Sequence, residues 1–337
     1  MFVAGGISIE CGGIHLACGG MLQNVSGGWL LAANDASMAK LSQASHFGTS
    51  RIDSSSVEWI GATPVKIANS NKAFVFYAIT LGLALLVRLA VPVIGDASVL
   101  VTMLTPAIAA AIMLIFVAPE GGWRDAATSL GLKSAGWKAW PFAIGGPALI
   151  HTVALAILAG AGLTTLVAPQ ISGSVAMLVL DILIGFVIST ILALCEEVGW
   201  RGYMLPRMQG FSVISAMLIV GFLHGVWHMP ILLTTDYYHS TGNPWFVAPL
   251  FLITVTLAGI FYGFLRLWTA SVWPVAIAHA AANTAWNVSS KVSQTKSPAV
   301  LEYVGGESGI IMIAGLVIIS FVLARVMRGS AWANLAV

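Results

Sequence analysis

Charge is what this sequence has least of. Of its 337 residues 8% are charged and 58% are hydrophobic, where a soluble globular chain carries about 25% charged residues. That scarcity excludes an ordinary soluble domain and implies a polytopic membrane protein. The formal net charge of +2 decides little about partners, because the distribution of charge matters more than the total, and nothing in it points to nucleic acid. Cysteine is scarce as well. Cys11, Cys18 and Cys195 form no CxxC or other metal-type spacing, which argues against a disulfide framework or a structural zinc site. A basic n-region followed by a compact apolar core, the mark of a signal peptide, is missing too. Residues 1–70 are rich in Gly, Ser, Ala and Asn, and no apolar run there reaches the ~20 residues of a spanning helix. They read either as a poorly ordered cytoplasmic extension or as sequence upstream of the true start.

What is abundant is apolar length. Residues 71–337 are expected to form one transmembrane domain, an all-α bundle of about eight spanning helices. The apolar segments lie near 73–94, 98–117, 140–167, 174–200, 211–233, 245–267, 271–289 and 308–327. The stretch 120–139 is too polar to span and reads as interfacial, with Trp123 and Trp137 at headgroup level. Basic residues set the orientation. Of the fifteen Lys and Arg, an N-in, C-in topology leaves only Lys291 and Lys296 in outside loops and Arg88 within a span. Interrupted helices are not placed symmetrically in two halves, which weakens an inverted-repeat transporter reading.

Ions are costly in hydrocarbon, so the polar residues inside the spans are the informative ones. Glu196, Glu197 and Arg201, in CEEVGWRG, close the fourth segment. The fifth carries His224 and His228, in HGVWHMP. The seventh carries His279 and Asn283, in HAAAN. Residues four apart share a helix face. Glu197 and Arg201 are therefore expected to pair, while Glu196, about 100° around the helix, projects elsewhere. His224 and His228 share one face, and His279 and Asn283 another. Three helices bringing polar stripes together imply one buried pocket, with Trp200 and Trp227 beside it. Arg88 is expected to snorkel to an interface, His151 to be structural, and Asp181 to make a packing or interhelical contact.

A carboxylate at reduced dielectric serves as a general base. A histidine beside it shares the attacking water or ligates a metal, and a second histidine with an amide stabilises an oxyanion. This is equipment for hydrolysing an amide bond. No Ser or Cys nucleophile with a paired base is evident, and HGVWH lacks the glutamate of the HExxH zinc motif.

At these residues the chain resembles a known family. EEVGWRGYMLPRM looks like the EExxxR motif of the CPBP (CAAX prenyl protease and bacteriocin-processing, Abi) intramembrane proteases. HGVWHMP resembles the second motif, FxxxH, and HAAAN matches the third, HxxxN. They occur in family order within a motif core of about 120–290. The family aromatic of the second motif falls at position 224, where this chain has His. The resemblance implies that Glu196 and His228 activate water, that His279 and Asn283 stabilise the oxyanion, and that Glu197 and Arg201 hold the first motif in shape. It leaves the cofactor open between zinc, held by Glu196, His228 and His279, and a metal-free mechanism, which Asn283 favours as a poor zinc ligand. The implied partners are a peptide or protein substrate and the lipid bilayer, in the cell (inner) membrane. A non-catalytic scaffold or immunity factor using the same pocket, and a proton-coupled transporter, are the alternatives from other classes.

Overall fold

The computed structural model describes residues 63–90, 97–119, 121–169, 174–235 and 243–327, together with four short strands before residue 31. The chain divides into two units, Met1–Gly61 and Ala62–Val337. In the first, β1 (Ile7–Cys11) pairs antiparallel with β2 (Ile14–Cys18), and β3 (Gln23–Val25) with β4 (Gly28–Leu30). Of the stretch 1–70 read as a poorly ordered extension, residues 63–70 instead form the first turns of a helix that begins at Thr63. The remainder apart from these strands, with Lys40 and Arg51, lies outside the described residues, as does Arg328.

The second unit is a helix bundle. Its elements are α1 (Thr63–Leu89), α2 (Ala97–Ile112, continued by a π turn Met113–Val117), α3 (Trp123–Ser129), α4 (Trp140–Gly160), α5 (Val175–Glu197), α6 (Val213–Thr234), α7 (Pro244–Thr269), α8 (Trp273–Lys291) and α9 (Ile310–Met327). Helix starts follow local chemistry. Ser174, Ser212 and Asn243 each accept a backbone N–H two or three residues on, at the heads of α5, α6 and α7. Trp123, at the head of the short α3, and Trp137, beyond its end, are exposed, as an interfacial stretch requires.

Among the described residues seven helices are long and apolar enough to cross a membrane. Helix α8, the seventh of the eight expected spans, falls short on apolarity because His279, Asn283 and Asn287 lie along it. Strand pairing nevertheless fixes its course. β5 (Thr164–Leu166), just past the end of α4, pairs antiparallel with β6 (Ser293–Thr295), just past the end of α8. Those two ends therefore share one side of the bundle. Three apolar helices lie between them in sequence, so α8 must itself cross to restore that side. It does so through the protein interior, with Val275, Ala276, Ala278 and Ala280 fully buried, so that neighbouring helices rather than lipid surround its polar groups. The third span was expected to continue to 167. It stops at Gly160 because the chain turns through Gly162 at φ 65° and enters β5.

The same two-sided arrangement shows at both ends. At one, Val272 N–H donates to Gly131 O (3.0 Å), Ser271 Oγ to Ser134 O, and Arg266 Nη2 to Ser129 O (3.2 Å). At the other, Arg88, in the last turn of α1, donates through Nε to Thr234 Oγ1 (2.5 Å) and through Nη2 to Thr234 O (3.2 Å). Arg88, half-buried, thus ties the ends of α1 and α6 together. Arg124, Lys133, Lys138, Arg201, Arg207 and Arg266 all belong to the first end, which makes it the basic one. α6 crosses α7 at Gly221 and Gly259, where a Cβ on Gly221 would lie 2.7 Å from Thr256 O. Small residues let the backbones meet there, and this fixes the height of the histidines further along α6.

Candidate active site

The end of α5 does not stop at Glu197. It widens into a π turn, Val198–Met204, and a 3-10 turn, Leu205–Arg207, giving one continuous apolar span Val175–Arg207. π turns inside helices are rare and recur at functional sites. Here the turn rotates Trp200, Arg201 and Tyr203 inward, and all three are buried.

The expected pair forms across that transition. Arg201 Nη1 donates to Glu197 Oε2 at 2.8 Å and to Oε1 at 3.1 Å, with both side chains at most 1% exposed. Removing two charges from water is costly unless their remaining valences are met, and here they are met in part, since Arg201 Nη2 is buried without a hydrogen-bond partner. His279 Nδ1 lies 2.9 Å from Glu197 Oε1, and Arg201 lies 5.1 Å from the centre of the Tyr262 ring. Tyr262 in turn stacks on His279, with centroids 5.7 Å apart and planes at 17°.

Glu196 takes a different partner, as its position around the helix required. His224 Nε2 lies 3.1 Å from Glu196 Oε2, and His224 Nδ1 lies 3.2 Å from Arg201 Nη1. A guanidinium only donates, so Nδ1 must accept. His224 is therefore neutral, carries its proton on Nε2, and donates it to Glu196. Trp200 stacks on its other face at 4.9 Å and 28°. The residue that departs from the family pattern is thus wired directly to the carboxylate read as the base.

A cavity of about 550 Å³ opens onto these groups. Its wall includes Glu196, His224 and Trp227, then His228, His279 and Asn283. All four residues read as catalytic thus face one space, with the His224 and His228 rings 5.0 Å apart and the His224 and His279 rings 6.2 Å apart. Trp227 donates to Thr105 Oγ1 at 3.2 Å and forms wall as expected. Trp200 instead packs behind His224, with Phe76 5.7 Å away. Asp181 is exposed on α5 and does not line the cavity, and it takes part in none of the described hydrogen bonds or ion pairs. His151 proves to be a cavity wall residue. Tyr262, Trp286 and Glu307 also line the cavity and were not anticipated. Tyr262 sits on a helix without a motif, and Glu307 on a glycine-rich run that reads as a loop.

Zinc needs unprotonated imidazole nitrogens and three protein ligands with one open position. The set expected for it does not assemble, because His279 lies outside the group whose ligand atoms fall within 4.8 Å of one another. That group is Glu196, His224 and His228. His224 cannot complete it in this arrangement. Freeing Nε2 for a metal puts the proton on Nδ1, facing the Arg201 N–H donor. Glu196 and His228 alone leave the set one ligand short, so the residues present do not fit zinc.

The fold and the site together are a membrane-type helix bundle around a cavity lined by Glu196, His228, His279 and Asn283. Residues 178–285 match the family Rce1-like, Type II CAAX prenyl endopeptidase Rce1-like. The match runs from within α5 to within α8, and every residue of the three motifs falls inside it. No curated relative matches the chain.

Proposed function

We propose that the chain is an endopeptidase of the cell (inner) membrane that hydrolyses a peptide bond near the cytoplasmic face, using a water activated by Glu196 without a metal. The observation that carries this reading is the chain of contacts Arg201–His224–Glu196. It holds one oxygen of a 1%-exposed carboxylate and leaves the other for water at the cavity wall. His228, on the same face of α6 one turn beyond His224, shares that water. Across the cavity, Asn283 donates its amide to the oxyanion of the tetrahedral intermediate. His279, one turn away on α8, donates from Nε2 as an imidazolium paired with Glu197 through Nδ1. Glu197 and Arg201 remain a structural pair.

The depth of the site suits a substrate that enters from the basic end. His279 is about 9 Å along α8 from its first residue, at 1.5 Å per residue. The bias of Lys and Arg assigns that end to the cytoplasm. The family match suggests a prenylated C-terminal CAAX peptide as substrate, and processing of, or immunity to, peptide toxins is the other role the motifs imply. Cleavage of a prenylated CAAX peptide and of an unmodified hydrophobic peptide by the purified full chain separates these. Glu196→Gln is expected to abolish cleavage while the protein inserts and unfolds as the parent does. Full activity in purified Glu196→Gln would overturn the reading.

A further inference from the structure

Glu307 lies outside the matched segment 178–285 and serves no step above. It sits where the last membrane helix is broken. A short turn, Pro298–Val300, and a π turn, Leu301–Gly305, lead into it, and α9 resumes at Ile310. The break is specified by sequence. A Cβ on Gly306 would lie 2.2 Å from Leu301 O, and one on Gly309 2.4 Å from Val304 O, so the run GGESG admits no larger residue at either place. Non-helical backbone at membrane depth is tolerated where it is buried in protein or lines a cavity. This one lines the cavity, together with Trp286 and His151.

The charges around it do not balance. Glu196, Glu197 and Glu307 bring three carboxylates to the cavity and its immediate wall. The fixed cation is Arg201, already engaged by Glu197. His224 is neutral by the tautomer argument, so even an imidazolium at His279 leaves one negative charge over. Glu307 takes part in none of the described hydrogen bonds or ion pairs. Nor does His151, which is only 4% exposed and whose ring stands 6.4 Å from that of Trp286. The Glu307 side chain is half-buried and lines the cavity, and two polar side chains in one wall that take part in no described hydrogen bond mark a place where a ligand supplies the partner. A carboxylate, an imidazole lone pair and an indole face are complementary to one chemistry, an organic cation.

We infer that Glu307, His151 and Trp286 form a subsite for an ammonium or guanidinium group of the substrate. This rests on the hydrolase reading, which makes a peptide the occupant of the cavity. The cation has two sources in such a peptide. One is a Lys or Arg side chain at a fixed distance from the scissile bond. The other is the amino group that cleavage creates on the departing fragment.

The test uses the full chain carrying His228→Ala in lipid nanodiscs, which keeps all three carboxylates while removing the histidine that shares the attacking water, with tryptophan fluorescence as the readout. The probes are acetylated hydrophobic pentapeptides with Lys or norleucine at each position in turn, and a neutral pentapeptide with a free or an acetylated amino terminus. At one position Lys is expected to bind about tenfold more tightly than norleucine, the effect of one desolvated charge pair. Adding Glu307→Gln should erase that difference and leave norleucine binding unchanged, which also shows that the variant is folded. A gain for the free amino terminus alone, erased in the same way, assigns the subsite to the departing amine. Equal binding throughout, or a preference that survives Glu307→Gln, overturns the subsite and leaves the hydrolase reading standing. Absence of binding by every peptide counts against the hydrolase reading itself.

Discussion

Arg201 Nη1 stands 3.2 Å from His224 Nδ1, and that contact fixes the protonation of a residue 23 positions away in sequence. Because a guanidinium cannot accept, His224 must donate through Nε2, and the only carboxylate within its reach among the described contacts is Glu196. The arginine of the first motif therefore acts on both adjacent carboxylates, on Glu197 directly and on Glu196 through an imidazole.

Replacing His224 by Phe, the aromatic of the family pattern, removes this link while roughly keeping volume and the stack on Trp200. A hydrogen bond to a charged group contributes about 1.5–3 kcal/mol, so kcat is expected to fall roughly 10- to 100-fold. KM should change little, because His224 holds the base rather than the substrate. Steady-state cleavage with Glu196→Gln as the floor measures both. An unchanged kcat would show that Glu196 is held by other means.

Much of this was legible in the sequence and some of it was not, for physical reasons. The i,i+4 spacing of Glu197 and Arg201 sufficed for their pair, because one helix carries both. The divergence of Glu196 from that arginine followed from the 100° step per residue. Its actual partner did not, since His224 lies on another helix and the height of α6 is set by the Gly221–Gly259 crossing. Apolar length marked 271–289 as a span along with the other seven, although α8 is less apolar than they are, its apolar surroundings coming from neighbouring helices. Gly162 and the β5–β6 pair ended the third span early, a tertiary contact with no local signature. Glu307 was invisible for a related reason. A glycine-bounded carboxylate reads as a loop until the fold shows that the loop lies inside the bundle.

The Glu197–Arg201 pair predicts an asymmetry in stability. Arg201→Met leaves Glu197 buried without its counter-charge and is expected to destabilise the protein by roughly 3–5 kcal/mol. Glu197→Gln alone strands the guanidinium in the same way. The double variant Arg201→Met, Glu197→Gln removes both charges and should recover a large part of the loss. Thermal unfolding in detergent reads the cycle. Additive losses would mean that the two side chains do not depend on each other, contrary to their 2.8 Å contact.

Asn283 offers an amide to the oxyanion whatever the protonation of its neighbours. Loss of one such donor costs about 10²–10³ in kcat. Asn283→Ala is expected to show that loss with KM close to the parent value. Asn283→Asp, which places a carboxylate where negative charge develops, should be the poorer enzyme of the two. An Asp variant more active than the Ala variant would assign position 283 to a proton-transfer role instead.

The metal question turns on the same tautomer. With Nε2 of His224 protonated and His279 turned to Glu197, two ligands remain where zinc needs three. Purified protein should therefore hold zinc well below one equivalent, and a chelator should leave peptide cleavage unchanged. The decisive variant is Arg201→Met combined with Glu197→Gln, because it removes the donor that keeps Nδ1 unprotonated. His224 is then free to present Nε2 as a third ligand beside Glu196 and His228. Cobalt titration of this variant is expected to give a tetrahedral visible spectrum at one equivalent, which the parent protein lacks. The same spectrum from the parent, lost on His228→Ala, would show that the ligands assemble despite the arginine and that water activation runs through a metal.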